Sequence, residues 1–149
     1  MKIIKNAASQ SLQGPEATFS GRVRIDNHFE PGSPSRIGAA LVTFEPGART
    51  AWHAHGAGQL LYVTEGRGWI QKAGEPKQMI EAGDTVWIAA NEKHWHGASQ
   101  DRAMSHVAVA EASETAPAAI WMEKSLMMNI RLDADQPRAV FDPVEAISG

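Results

Sequence analysis

Residues 47–59 read Gly47-Ala48-Arg49-Thr50-Ala51-Trp52-His53-Ala54-His55-Gly56-Ala57-Gly58-Gln59. Side chains alternate faces along an extended strand, so His53 and His55 are expected to point the same way, close enough to share one ion. Gln59 follows after three small residues and can add an amide oxygen. A His-x-His pair standing alone is more often a structural or solvated feature than a metal site. Here a second pair, His94-x-His96, lies beyond the turn at Gly83-Asp84 on what should be another strand. Three neutral imidazoles and one oxygen ligand leave open positions on a six-coordinate divalent ion, as a catalytic centre requires.

Outward from this stretch, 13 Gly and 8 Pro punctuate the middle of the chain. They cut it into short segments rich in β-branched and aromatic residues, the rhythm of antiparallel structure. Strands are expected at 18–25, 37–45, 59–65, 68–73, 78–81, 85–89, 94–97 and 104–110. No long 3.6-period segment interrupts them, so a sandwich or barrel is favoured over a parallel α/β sheet. Residues 1–122 are read as one β domain, with Ile120-Trp121-Met122 an apolar patch that should dock on it. Residues 123–149 are read as a C-terminal arm, polar beyond Asn129, that is a surface segment, partly disordered, or packed on a partner subunit.

Composition narrows the chemistry. The 149 residues include no cysteine, which removes disulfides, Fe–S clusters, thiolate zinc sites and a cysteine nucleophile. Fourteen Lys and Arg against 17 Asp and Glu give a net charge of −3 with no basic stripe, so a nucleic-acid partner is not expected. No apolar run reaches the roughly 18 residues of a membrane span and no signal peptide is visible, so a soluble, cytoplasmic protein without membrane partners is the expectation. Of six histidines, His53, His55, His94, His96 and His106 fall in one central stretch.

Gly47, His53, His55, Gln59 and Gly66 fit the first motif of the cupin family, which is Gly, five residues, His-x-His, three or four residues, Glu, six residues, Gly. Gln59 replaces the Glu. The segment 83–98 fits the spacing of the second cupin motif, with Gly83 and His94 in place and Ala89, Asn91 and Ala98 standing where the family has Pro, Gly and Asn. The runs Val42–His53, Gly83–Trp87 and Glu92–Ala98 are further similar to small bacterial single-domain cupins that include manganese-dependent hydroxynitrile lyases. Those proteins resemble this chain in carrying Gln at the motif Glu position and a histidine at the place of His106. The likeness spans Lys2 to Trp121. It implies an all-β, cupin-type antiparallel β-barrel (jelly-roll) with a short C-terminal extension, assembled as a homodimer. It also implies one divalent metal on His53, His55, Gln59 and His94, with Mn2+ first and Fe2+, Ni2+, Co2+ or Zn2+ as alternatives.

Replacing a carboxylate ligand by Gln59 leaves the ion its full charge, which strengthens it as a Lewis acid and makes its oxidised state harder to reach. Polar chemistry is favoured over oxygen activation. The leading expectation is a lyase that cleaves or forms a C–C bond in a small cyanohydrin, mandelonitrile-like, or a related hydroxy-carbonyl compound. His106 is the first candidate for the base, because alternation along 104–110 sets it on one face with the small Ala108 and Ala110. His96, on the face of His94, is a candidate to relay a proton or orient the leaving group. The competing readings are a satisfied core histidine for His106 and a supporting hydrogen-bond role for His96. Face parity places Ala40, Val42, Leu61, Ala108 and Ala110 in an apolar substrate pocket. Arg49 is expected to pair with an acidic neighbour at the rim, and His28 to be a plain surface residue. A non-catalytic metal- or small-molecule-binding cupin and a dioxygenase on the same histidines stay open as alternatives.

Overall fold

The computed structural model describes residues 1–113, 115 and 117–126; the arm expected at 123–149 therefore lies mostly outside the described residues. Among them, regular structure is almost all strand: β1 (Leu12–Gln13), β2 (Phe19–Ser20), β3 (Val23–Phe29), β4 (Ile37–Phe44), β5 (Arg49–Thr50), β6 (His53–Ala54), β7 (Gln59–Lys72), β8 (Gln78–Glu81), β9 (Thr85–Ile88), β10 (His94–Ala98), β11 (Met104–Glu111) and β12 (Ile120–Trp121), with one 3-10 turn at Asn6–Ala8. No helix among the described residues is long and apolar enough to cross a membrane. Every strand pairing is antiparallel.

One face of the barrel runs β1-β3-β4-β11-β7, with β9 on the far side of β7. The other runs β2-β5-β10-β7, with β8 beside β7, β6 beside β10 and β12 on the far side of β6. The 14-residue β7 belongs to both. Its first half pairs with β11 and β9 and its second with β10 and β8. The change of sheet falls at Gly66, whose φ is +74°. A Cβ there would lie 1.8 Å from the Ala103 carbonyl oxygen, so only glycine lets this strand bend and pack at once. Two strands were expected over 59–65 and 68–73; the structure has one bent strand, because glycine here bends the chain without ending its ladder. The strand expected at 18–25 divides instead, where Gly21 (φ +78°) carries it away from β2.

One end of the barrel is filled by Phe19, Val23, Val42, Phe44, Ala48, Val63, Ile80, Ala98 and Met104. These are inward-facing positions of facing strands, and their burial drives the closure. The other end is not filled. There the inward side chains turn from aliphatic to histidine, and Phe44 marks the change, with its ring 5.8 Å from that of His96 and 5.4 Å from that of His106.

Candidate metal centre

Register brings the two histidine pairs together. In the antiparallel pairing of β10 with β6, His94 stands opposite His53, and their ring centroids are 4.2 Å apart. β6 covers only His53 and Ala54, so His55 lies in the turn beyond the strand, where its carbonyl accepts from Gly58 N (3.2 Å) and Asn91 N (2.8 Å). Its ring still sits 5.0 Å from that of His53 and 5.5 Å from that of His94. Strand alternation is thus not what places His55; the turn that follows does so. Asn91 is the residue standing where the cupin motif has glycine, and it takes φ +64°, the left-handed conformation asparagine tolerates best after glycine. The backbone before His94 keeps the turn despite the substitution.

Three rings are oriented by the main chain. The Nδ1 of His53 donates to Ala51 O (2.9 Å), that of His55 to Ala118 O (2.6 Å) and that of His94 to Glu92 O (2.9 Å). A carbonyl only accepts, so each Nδ1 carries the proton and each Nε2 holds a free lone pair. The Nε2 atoms of His55 and His94 and the Oε1 of Gln59 are buried with no hydrogen-bond partner. Orphaned acceptors of this kind are costly in a closed interior unless something completes them. A divalent cation fits this donor set. Ligand atoms of His53, His94 and His96 lie within 4.8 Å of one another and could hold an ion; this group includes His96, expected beside the ligands, and does not include His55. His96 Nδ1 is itself unpartnered, and among the described residues no carbonyl takes a proton from it as happens for the other three.

His106 is 1% exposed with both ring nitrogens unpartnered. Its ring lies 4.9 Å from that of His96, edge to face. All five rings are held neutral. Burial is the main cause in every case, pushing His53 down to about 3, His94 to about 4 and His106 to about 4, and lowering His55 and His96 as well. Mutual repulsion among the imidazolium forms adds to this for His53 and His96.

The cluster opens on a cavity of about 210 Å³. Ala40, Val42, Ala108 and Ala110 line it as expected, with Phe19, Phe44 and Trp121 as aromatic walls and His53, His55, Gln59, His96 and His106 at its polar side. Leu61 is fully buried and is not part of the wall; the inward face of β7 at that depth is already core. His28 is an exposed surface residue, as expected, with its side chain 55% accessible, and it also borders the cavity. The pairing of β3 with β4 shifts register between Asp26 and Phe29, where Asn27 has φ +51°. This irregularity aims His28 at the cavity, beside Glu30 at 3.4 Å, as bulges beside binding sites do. Arg49 differs from expectation. It is 6% exposed, not at a rim, and its guanidinium donates to Gly47 O and to the carbonyl and hydroxyl of Ser125; among the described residues no acid takes part.

Comparison with known proteins agrees with this architecture. A family model described as a cupin domain matches residues 40–110. The (R)-mandelonitrile lyase of Granulicella tundricola is 50% identical over 121 residues, which are 80% of this chain and 92% of that protein. Among solved structures, a cupin-like protein from Thermotoga maritima superposes with a TM-score of 0.75 at 34% identity, covering 80% of this chain and 90% of that one. A cupin-2 domain protein from Rhodospirillum rubrum superposes with a TM-score of 0.65 over 91% of this chain and 88% of its own, and at 17% identity it speaks for the fold alone.

Proposed function

The chain belongs to the cupin family, and from that premise we propose that it is a metal-dependent lyase that cleaves or forms the C–C bond of a small cyanohydrin. The observation that carries this reading is a pair of neutral, buried histidines, His96 and His106, set beside a cluster of orphaned ligand atoms at one small, largely apolar cavity. The name of the Granulicella relative supports the substrate class.

His53, His55, Gln59 and His94 would hold the ion, through three Nε2 atoms and one amide oxygen, with His96 close enough to join them. The bound ion supplies Lewis acidity that lowers the pKa of a substrate hydroxyl. The remaining steps belong to the protein. Alanines 40, 108 and 110 leave room for the substrate body against Phe19, Phe44 and Trp121. His106, kept neutral by burial, takes the hydroxyl proton on a free ring nitrogen as the carbonyl forms and cyanide leaves. Its depressed basicity suits it to return that proton readily to cyanide. His96, next to it, orients the departing nitrile or passes the proton on. With no carboxylate among the proposed ligands, the ion keeps its charge, which favours Mn2+ or Fe2+ in a polar reaction over oxygen activation.

The test is to strip the protein, reload it with Mn2+ without oxygen, and follow aldehyde release from mandelonitrile. Turnover that is lost on chelation and is indifferent to oxygen supports the lyase. Turnover that requires oxygen makes it a dioxygenase, and metal uptake without any turnover makes it a binding protein.

A further inference from the structure

The segment that follows the barrel is tied to the metal centre at four successive points. Ala118 O accepts the Nδ1 proton of His55 at 2.6 Å. β12 pairs with β6, setting Trp121 opposite His53, and the indole lies over the His53 imidazole at 4.5 Å and 30°. Met122 N donates to Trp52 O (2.8 Å) and Trp52 N donates to Glu123 O (2.9 Å). Further along the segment, Ser125 is 2% exposed. Its hydroxyl donates to Thr50 O at 2.7 Å and accepts from Arg49 Nε at 3.0 Å, while its carbonyl accepts from Arg49 Nη2 at 2.8 Å.

A buried guanidinium is expensive to hold without a carboxylate, and burial alone lowers its pKa. Its planar donors are nevertheless spent on one serine and one glycine carbonyl. Thr50, the next residue, uses its hydroxyl to accept from His96 N at 3.1 Å. The strand that grips the segment is therefore also the strand that braces the histidine cluster. Of the four proposed ligands, His55 takes its ring hydrogen bond from this segment, while His53, oriented by Ala51 O, receives from it only the stacked indole of Trp121.

We infer that Arg49 is a positioning residue for the metal centre: by clamping Ser125 it holds residues 118–125 across the cluster, so that Ala118 fixes the His55 ring and Trp121 covers His53. This rests on the reading of the histidine cluster as a metal site. The clamp acts through the segment and touches no proposed ligand, so its loss loosens His55 without removing a ligand atom.

The experiment compares wild type, Arg49→Met and Ser125→Ala. Mn2+ affinity is measured by calorimetric titration and coordination by the visible spectrum of the Co2+-loaded protein. Thr43→Val serves as a stability control, because it deletes the Thr43–Ser105 hydroxyl contact (2.9 Å) away from the cluster. Arg49→Met should weaken Mn2+ binding at least tenfold and change the Co2+ spectrum as His55 leaves. Ser125→Ala, which keeps the carbonyl contact, should weaken binding two- to threefold, and Thr43→Val should alter neither readout. If Arg49→Met does not fold, Ser125→Ala decides alone. Wild type that takes up no metal overturns the metal-centre reading and the clamp with it. Wild type that loads, with folded variants that load equally well and give the same Co2+ spectrum, overturns the clamp only.

Discussion

Lowering the pH of the metal-free protein from 7.5 to 5.5 should remove a large part of its folding stability. His53, His94 and His106 are pushed down to about 3, 4 and 4 in the native state, while in the unfolded chain each returns to the ordinary value of 6.5. Between those limits the unfolded chain binds protons that the native protein does not, so stability is intact above pH 6.5 and declines as the pH falls toward the native values. At pH 5.5 each ring costs about 1.4 kcal/mol relative to pH 7.5, and the three together roughly 4 kcal/mol. That is a large share of the 5–15 kcal/mol of a typical domain. The lowered carboxylates, Asp26, Glu92, Asp101 and Glu123, titrate below this window and do not enter it. Denaturant unfolding of chelator-treated protein at the two pH values measures the difference. A loss under about 1 kcal/mol would falsify the claim that these rings are buried in neutral form.

Gln59→Ala should lower metal occupancy in elemental analysis, and Gln59→Glu should raise affinity by restoring a negative ligand; equal occupancy in all three proteins removes Gln59 from the coordination sphere. His106→Ala should reduce cyanohydrin turnover by about 10²- to 10⁴-fold while the protein still loads metal, and undiminished turnover would assign the proton to another group. Gly66→Ala puts a methyl 1.8 Å from the Ala103 carbonyl oxygen at φ +74°. It should cost about 3 kcal/mol or more, read as a fall in the unfolding midpoint or a failure to fold.

Much of this was legible in the chain because spacing carries it. Gly47, His53, His55, Gln59 and His94 declare a cupin site by their intervals, and the parity of 104–110 sets His106, Ala108 and Ala110 on one face, which is how they line the cavity. What escaped has a local physical cause in each case. Whether a glycine ends a strand or bends it depends on the partner strand: Gly66 has β11 and β10 to follow and Gly21 does not. His28 reaches the cavity only through the irregularity at Asn27, which no alternation pattern announces. His96 falls in the group with His53 and His94 that could hold an ion because β10 presents both His94 and His96 inward, and spacing does not say how many of them an ion would reach. Arg49 looked like a rim charge because a buried guanidinium satisfied by backbone and serine leaves no acidic partner in the sequence to point at.

The histidine cluster is proposed to hold a catalytic divalent ion with a position left for substrate. Anomalous scattering across the metal edges, from crystals grown with Mn2+ and a hydroxynitrile, tests it most directly. One ion bound by the Nε2 atoms of His53, His55 and His94 and by the Gln59 amide oxygen, with the ligand hydroxyl on an open position toward His106, is the predicted result. No ion in the cluster, or an ion whose positions are all filled by protein side chains, would contradict it.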